Sequence, residues 1–376
     1  MSGLQCRAGG IVLVIAACLL MPLPTAAEFP TQESLEERYQ ERQKAQLEKY
    51  FDRLIEQSYA TRKAAWKRDF SSVEAYEKSI APWREKFADY LGGMNYPRDP
   101  LRPREELIRE TDTHIAKRVW FTAFGDVEVY GILMLPKQFK GKRPALMCLH
   151  GMGGTPELVC GIVERTDYHN RFGLQAVEKG YVVFAPVIMN SPAKRNWLDR
   201  KAIMVGQRMQ GLEQFKILRL VDYLASRDDV AAGRIGVYGI SWGGRTAMNA
   251  AALDPRIAAC AISGHFMEST QKMVTPSPHY TAYIQVNENY AFFSRQALDF
   301  ADADICSLIC PRPVHIEQGH DDRVAYWKMA QEEFRIVQDY YDRLGLADRA
   351  TFEIFAGGHE VAGQEAFAVF ARHLKP

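Results

Sequence analysis

Residues 237–247 read VYGISWGGRTA, and no other stretch restricts the fold as strongly. The apolar run RIGVYGI ends there and the helix-like pattern GRTAMNAAAL begins, so Ser241 stands at a strand-to-helix turn with Gly239 two residues before it and Gly243 two after. A serine that only caps a helix needs neither glycine. A turn that strains the serine backbone needs both, because a side chain at either position would strike the neighbouring strand or helix. Such a turn lifts the hydroxyl above the edge of a sheet, beside the free amides and positive dipole end of a helix. The segment therefore predicts a nucleophile.

A serine nucleophile requires a base and a group that orients it. Both residue types occur downstream, each after a strand-like run. PVHIEQG is followed by Gly319-His320-Asp321-Asp322, and ATFEIF is followed by Ala356-Gly357-Gly358-His359. His359 is the expected base, and Asp321 and Asp322 compete for the orienting role. The order Ser, Asp, His is that of a hydrolase built on a sheet with the nucleophile at a sharp turn. Upstream, His150-Gly151-Met152-Gly153-Gly154 closes the run PALMCLH. Glycines there allow close approach of backbone amides to a carbonyl oxygen, which makes the Met152 and Trp242 amides the expected oxyanion donors.

The remaining pattern supports the same architecture. Apolar runs near residues 147, 183, 237, 260, 315 and 353 alternate with amphipathic stretches such as GLEQFKILRLVDYLASR. Strands apolar throughout and separated by helices predict a mostly parallel, doubly wound α/β sheet covered on both faces. VWFTAF and VEVYGILMLP, flanking Gly125-Asp126, predict a β-hairpin ahead of it. Before that, residues from about 32 to 91 carry apolar positions at helical intervals, and YPRDPLRP follows at residues 96–103. The expected organisation is a leader over residues 1–27, an N-terminal helical extension over 28–103 and a catalytic domain over 104–376. The leader combines Arg7, a short apolar run and Thr25-Ala26-Ala27, the pattern of a secretory signal. Ile15-Ala16-Ala17-Cys18 offers a lipid anchor at Cys18 as an alternative, although apolar residues continue past it.

From about Val119 onward the chain resembles the α/β-hydrolases of the dienelactone-hydrolase and acetylxylan-esterase type. The likeness rests on LMLPKQFKGKRPALMCLHGMGG, YLASRDDVAAGRIGVYGISWGGRTAMNAAALDPRI, CPRPVHIEQGHDDRV and IFAGGHEV. Dienelactone hydrolases proper use a cysteine where this chain has Ser241, so the resemblance implies a serine esterase acting on ester-substituted carbohydrate. In the loop that resembles GHDDRV the acid commonly falls three residues after the glycine, which favours Asp322 over Asp321. The resemblance implies no metal and no cofactor.

Among the surroundings, Asn190 to Trp197 follows YVVFAP and is expected as a loop on the catalytic rim. There Lys194, Arg195 and Trp197 could meet a sugar with an acidic substituent. The aromatic stretch between His265 and Phe300 is expected to pack mostly on the body of the domain. Cys148 and Cys260 read as buried thiols, and Cys306 with Cys310 lacks the further ligands a zinc site needs. A net charge of +1 gives no field to gather nucleic acid, and the leader's apolar run is too short for a comfortable membrane span. The expected partner is a small-molecule or polysaccharide ester; oligomeric state is left open. A prolyl-oligopeptidase-like peptidase would need a propeller where this chain has roughly 90 helical residues. A silent binding protein would have little reason to keep every catalytic element.

Overall fold

The computed structural model describes residues 31–138 and 141–375. The predicted leader and Cys18 lie outside the described residues. The described strands are β1 (Arg104–Glu110), β2 (His114–Phe124), β3 (Val127–Pro136), β4 (Arg143–Leu149), β5 (Val182–Pro186), β6 (Val230–Ile240), β7 (Ile257–Ser263), β8 (Val314–Gly319) and β9 (Ala350–Phe355). They form one sheet in the order β1-β2-β3-β5-β4-β6-β7-β8-β9. The pairs from β5 to β9 are parallel, whereas β1, β2 and β3 add to the β5 edge as an antiparallel ribbon.

Successive residues of a strand point to opposite faces, so a strand covered on both sides must be apolar at every position. β6 shows this: Val237 enters a core with Leu220, Ala250 and Ile262, and Tyr238 enters a second core with Phe172, Phe367 and Phe370. The helices Met209–Ala225, Trp242–Leu253 and Trp327–Arg343 cover the first face, and Phe172–Glu178 and Gln364–Leu374 the second. The predicted hairpin is β2–β3. β1, sequence REELIRE, was not anticipated; six of its seven residues are exposed, so no apolar alternation announces it. Cys148, Cys160, Cys260, Cys306 and Cys310 are buried free thiols.

The N-terminal region divides elsewhere than at the Pro-rich joint. Two compact units meet within the helix Gln32–Ala65, at Leu54/Ile55. Residues 32–54 are helical, with Tyr39, Leu47, Tyr50 and Phe51 exposed. From Ile55 onward the chain belongs to the sheet's own unit, because the apolar positions of the second helix, Val73–Tyr90, are core. Trp66, Tyr76, Ile80, Phe87 and Leu91 are all buried in the same cluster as Val237. Trp66 stacks on Trp83 with centroids 4.0 Å apart, and its indole N–H donates to the Asp299 carbonyl at 2.9 Å. Among the described residues no helix is long and apolar enough to cross a membrane.

Trp66→Ala should therefore lower the unfolding free energy of the whole catalytic unit by about 3–5 kcal/mol, the usual cost of emptying a buried tryptophan site. Urea denaturation followed by far-UV circular dichroism and by tryptophan fluorescence should show the midpoint falling together in both. An unshifted main transition would contradict the assignment of residues 55–103 to this core.

Candidate active site

All parallel strands end at one edge, and the loops leaving β4, β6, β7, β8 and β9 converge there. At the end of β6 Ser241 has φ +58° and ψ −123°, the strained turn expected from its flanking glycines. The cause is close packing of backbone on backbone. A β-carbon on Gly239 would lie 2.1 Å from the Gly243 carbonyl oxygen, and one on Gly243 would lie 2.2 Å from that of Leu149. The Ser241 amide donates to the Ser263 carbonyl at 2.9 Å, tying the turn to the end of β7.

Ser263 is followed by Gly264 at φ +56°, whose hypothetical β-carbon would sit 3.0 Å from the His359 ring and 3.4 Å from Asp322. This places the His359–Asp322 pair beside the Ser241 turn. His359 Nδ1 and Asp322 Oδ2 are 2.8 Å apart. Oδ2 also accepts from Gln318 Nε2 at 2.8 Å, and Oδ1 accepts from the amides of Val324 and Ala325 at 2.6 and 3.2 Å. Burial would raise the Asp322 carboxyl, but the hydrogen bond and charge of His359 and the two amides outweigh it and hold the group below its ordinary value. Asp321 instead points to solvent, 2.9 Å from His320 Nδ1. Lys272 holds the same loop from outside, donating to the carbonyls of Thr281 and Val324.

The loop after β4 is clamped by two histidines. His150 Nε2 accepts from the Ile188 amide at 3.0 Å, which leaves the proton on Nδ1 to donate to the Gly151 carbonyl at 2.8 Å. His169 Nε2 accepts from the Gly151 amide at 3.1 Å and its Nδ1 lies 2.7 Å from Asp167. The Tyr168 hydroxyl donates to the Met152 carbonyl at 2.7 Å, and its ring faces that of His359 at 5.6 Å. Among the described residues the Met152 and Trp242 amides donate to no other group, so both are free for an oxyanion. Tyr168, His169 and Asp167 carry no motif, and only the folded proximity of DYH to HGMGG reveals them.

The rim segment requires correction. Residues 192–203 are a helix with Ser191 as N-cap, not a loop. Arg195 has 0% exposure; its guanidinium binds Glu213 through two bonds of 2.7 and 2.9 Å and lies 4.4 Å over the Trp242 ring. Glu213 in turn accepts from the Trp242 indole at 3.0 Å. Arg195 is thus sealed from solvent, and it supports Trp242, the residue next to Ser241. Lys194 lines a cleft of about 650 Å³ with Val127, Leu198 and Leu212 whose walls include neither Ser241 nor His359. Trp197 is 65% exposed and does not share that cleft. Of the aromatics in the 265–300 stretch, Tyr280, Tyr290 and Phe293 are buried, as packing residues are. His265 is also buried, its ring nitrogen 4.0 Å from Asp302.

The profile of the acetyl xylan esterase (AXE1) family matches residues 99–299, more than half of the sequence. The chain belongs to the acetyl xylan esterase (AXE1) family. It is a carboxylic ester hydrolase of the serine type. Over 274 residues it is 26% identical to YtaP of Bacillus subtilis (strain 168), a protein named as a hydrolase, covering 70% of this chain and 88% of that one. The fold is similar to that of a Bacteroides fragilis NCTC 9343 protein described as an acetyl xylan esterase, with TM-score 0.60, 16% identity and 78% of each chain covered. It is also similar to acetyl xylan esterase 1 of Thermoanaerobacterium sp. JW/SL YS485, with TM-score 0.53, 16% identity, and 80% of this chain and 94% of that one covered. In this esterase the 99–299 match takes in the Ser241 turn and the HGMGG loop, and stops short of Asp322 and His359.

The histidine clamp makes a pH prediction. Burial pushes His150 down to about 4, so it stays neutral in the folded esterase while an unfolded chain protonates it near 6.5. Between those values the unfolded state binds the extra proton, so stability falls as pH drops from about 6.5 to 4, by on the order of 3 kcal/mol for this one group. His150→Gln should flatten that decline in urea titrations at successive pH values, whatever its cost at neutral pH. A slope identical to the parent's would rule out His150 as its source.

Proposed function

We propose that Ser241 attacks the carbonyl carbon of a carboxylic ester, with His359 as the base and Asp322 holding the ring. In this reading His359 Nε2 takes the hydroxyl proton as the Ser241 Oγ–carbon bond forms. The negative carbonyl oxygen is met by the Met152 and Trp242 amides, and His359 returns the proton to the leaving alkoxide. Water, activated by the same ring, then releases the acid from the acyl-enzyme. The observation that carries this reading is the 2.8 Å contact of His359 Nδ1 with Asp322, packed against Gly264 beside the Ser241 turn. The Asp322 carboxylate fixes the proton on Nδ1, which leaves Nε2 to act as base.

For substrate the reading is an acetyl or similarly small ester on carbohydrate, supported by the family's description. It places the enzyme outside the cytoplasm, periplasmic or secreted, on the strength of the N-terminal leader pattern in residues 1–27.

Three variants test the assignment on p-nitrophenyl acetate and on acetylated xylo-oligosaccharides. Ser241→Ala should lower kcat by at least about 10⁴-fold. Asp322→Asn should lower it by on the order of 10³-fold or more with little change in KM, and Asp321→Asn by less than about twofold. A heavy loss in Asp321→Asn with Asp322→Asn active would reassign the acid. Acetate release from p-nitrophenyl acetate without any from the oligosaccharides would remove carbohydrate from the reading.

A further inference from the structure

A second constellation lies on the two strands that feed the active-site loops, and the reaction does not use it. β8 and β9 pair in parallel with His315 opposite Thr351 and Glu317 opposite Glu353. Residues two apart on a strand share a face, so His315 and Glu317 stand side by side and the register brings Glu353 to them. His315 is 1% exposed. Its Nδ1 lies 2.8 Å from the Thr351 hydroxyl, and its Nε2 points at Glu353 Oε2, 3.8 Å away, and Glu317 Oε2, 4.0 Å away.

These distances are too long for hydrogen bonds. His315 Nε2 and Glu353 Oε2 are both buried atoms with no hydrogen-bond partner among the described residues. If Nδ1–H donates to Thr351, a bare lone pair on Nε2 faces two carboxylates; if the Thr351 hydroxyl donates instead, an Nε2–H has nothing within reach. Either arrangement leaves buried polar groups unsatisfied at a cost of about 1–3 kcal/mol each. A cation placed among the three atoms satisfies all of them.

We propose that His315 Nε2, Glu317 Oε2 and Glu353 Oε2 bind one divalent transition-metal ion, zinc by preference, in a structural site that ties β8 to β9. One imidazole nitrogen and two carboxylate oxygens form a donor set that zinc takes, with a fourth place left for water. Tetrahedral bonds of about 2.0 Å put donors about 3.3 Å apart, closer than the 3.8 and 4.0 Å that separate His315 Nε2 from the two carboxylate oxygens here, so the site must contract when it binds. All the donor atoms already lie within 4.8 Å of one another, and Glu353, partly exposed and with its Oε2 free of hydrogen bonds among the described residues, is the ligand least held in place. The surrounding groups are those that orient ligands. The Thr351 hydroxyl can accept from His315 Nδ1–H, the tautomer that leaves Nε2 bare for an ion, and Glu317 is held by the Tyr238 hydroxyl at 2.7 Å and by the amides of Ala362 and Gly363 at 3.1 Å. The loop with Asp322 follows β8 and the loop with His359 follows β9, so the ion would brace both without entering the reaction.

The test uses untagged protein stripped with EDTA, desalted, and titrated with zinc chloride at neutral pH by calorimetry, alongside thermal melts. The parent should take up one equivalent and gain several degrees in Tm at saturation. Glu353→Gln, at a partly exposed position that folding tolerates, should bind at least about tenfold more weakly, and His315→Gln should lose stoichiometric binding. Absence of a stoichiometric heat together with an unchanged Tm in the parent would overturn the proposal. So would undiminished uptake by Glu353→Gln, which would move the ion to another site.

Discussion

Gly243 has no room for a β-carbon because the carbonyl oxygens of Leu149 and His150 lie 2.2 and 2.6 Å from where it would be. This approach of the helix Trp242–Leu253 to the end of β4 sets where the helix starts. With the helix start fixed, Ser241 must turn through φ +58°, and its amide is handed to Ser263 at the end of β7. Three neighbouring strand ends are thereby locked to one another by backbone alone. The loop after β4, the serine after β6 and Gly264 after β7 are consequences of that lock. The Asp322 and His359 loops from β8 and β9 pack against Gly264, beside that lock.

A second layer consists of polar groups buried in a single state. His150 and His169 each accept an amide proton on Nε2, so both are neutral with defined tautomers, and together with Tyr168 they hold HGMGG in place. The Arg195–Glu213 pair is buried behind Trp242 with two hydrogen bonds of its own and a third to the indole. A buried ion pair is weak evidence for stability but good at specifying one arrangement. Here the specified arrangement is the orientation of Trp242, whose amide adjoins Ser241. Lys272, reaching from the 265–300 stretch to the Val324 carbonyl, extends the same logic to the Asp322 loop.

The alternation of apolar runs with amphipathic stretches disclosed the parallel sheet, since a strand buried on both faces has no other way to be written. The strained turn at GxSxG and the tight loop HGMGG were legible because each is constrained locally, by backbone geometry at one loop. What sequence could not disclose depends on pairing across distance. Arg195 looked like a rim cation because Glu213, eighteen residues on, is a neighbour only after helix packs on helix. The helix Val73–Tyr90 looked like an appendage because amphipathicity says that a face is buried and not against what. β1 left no trace, being an exposed edge. His315, Glu317 and Glu353 are unremarkable until the β8–β9 register assembles them.

In the proposed reading the Ser241 hydroxyl, set by the turn and served by His359, is the one activated nucleophile. Peptide mapping by mass spectrometry after reaction with a fluorophosphonate tests it most directly, because the reagent bonds covalently only to a serine that is already activated. One adduct per chain is expected, on the peptide that carries Ser241, and it should be lost when His359 is replaced by Ala. An adduct on any other residue, or labelling of Ser241 at the parent rate in the His359→Ala variant, would contradict it.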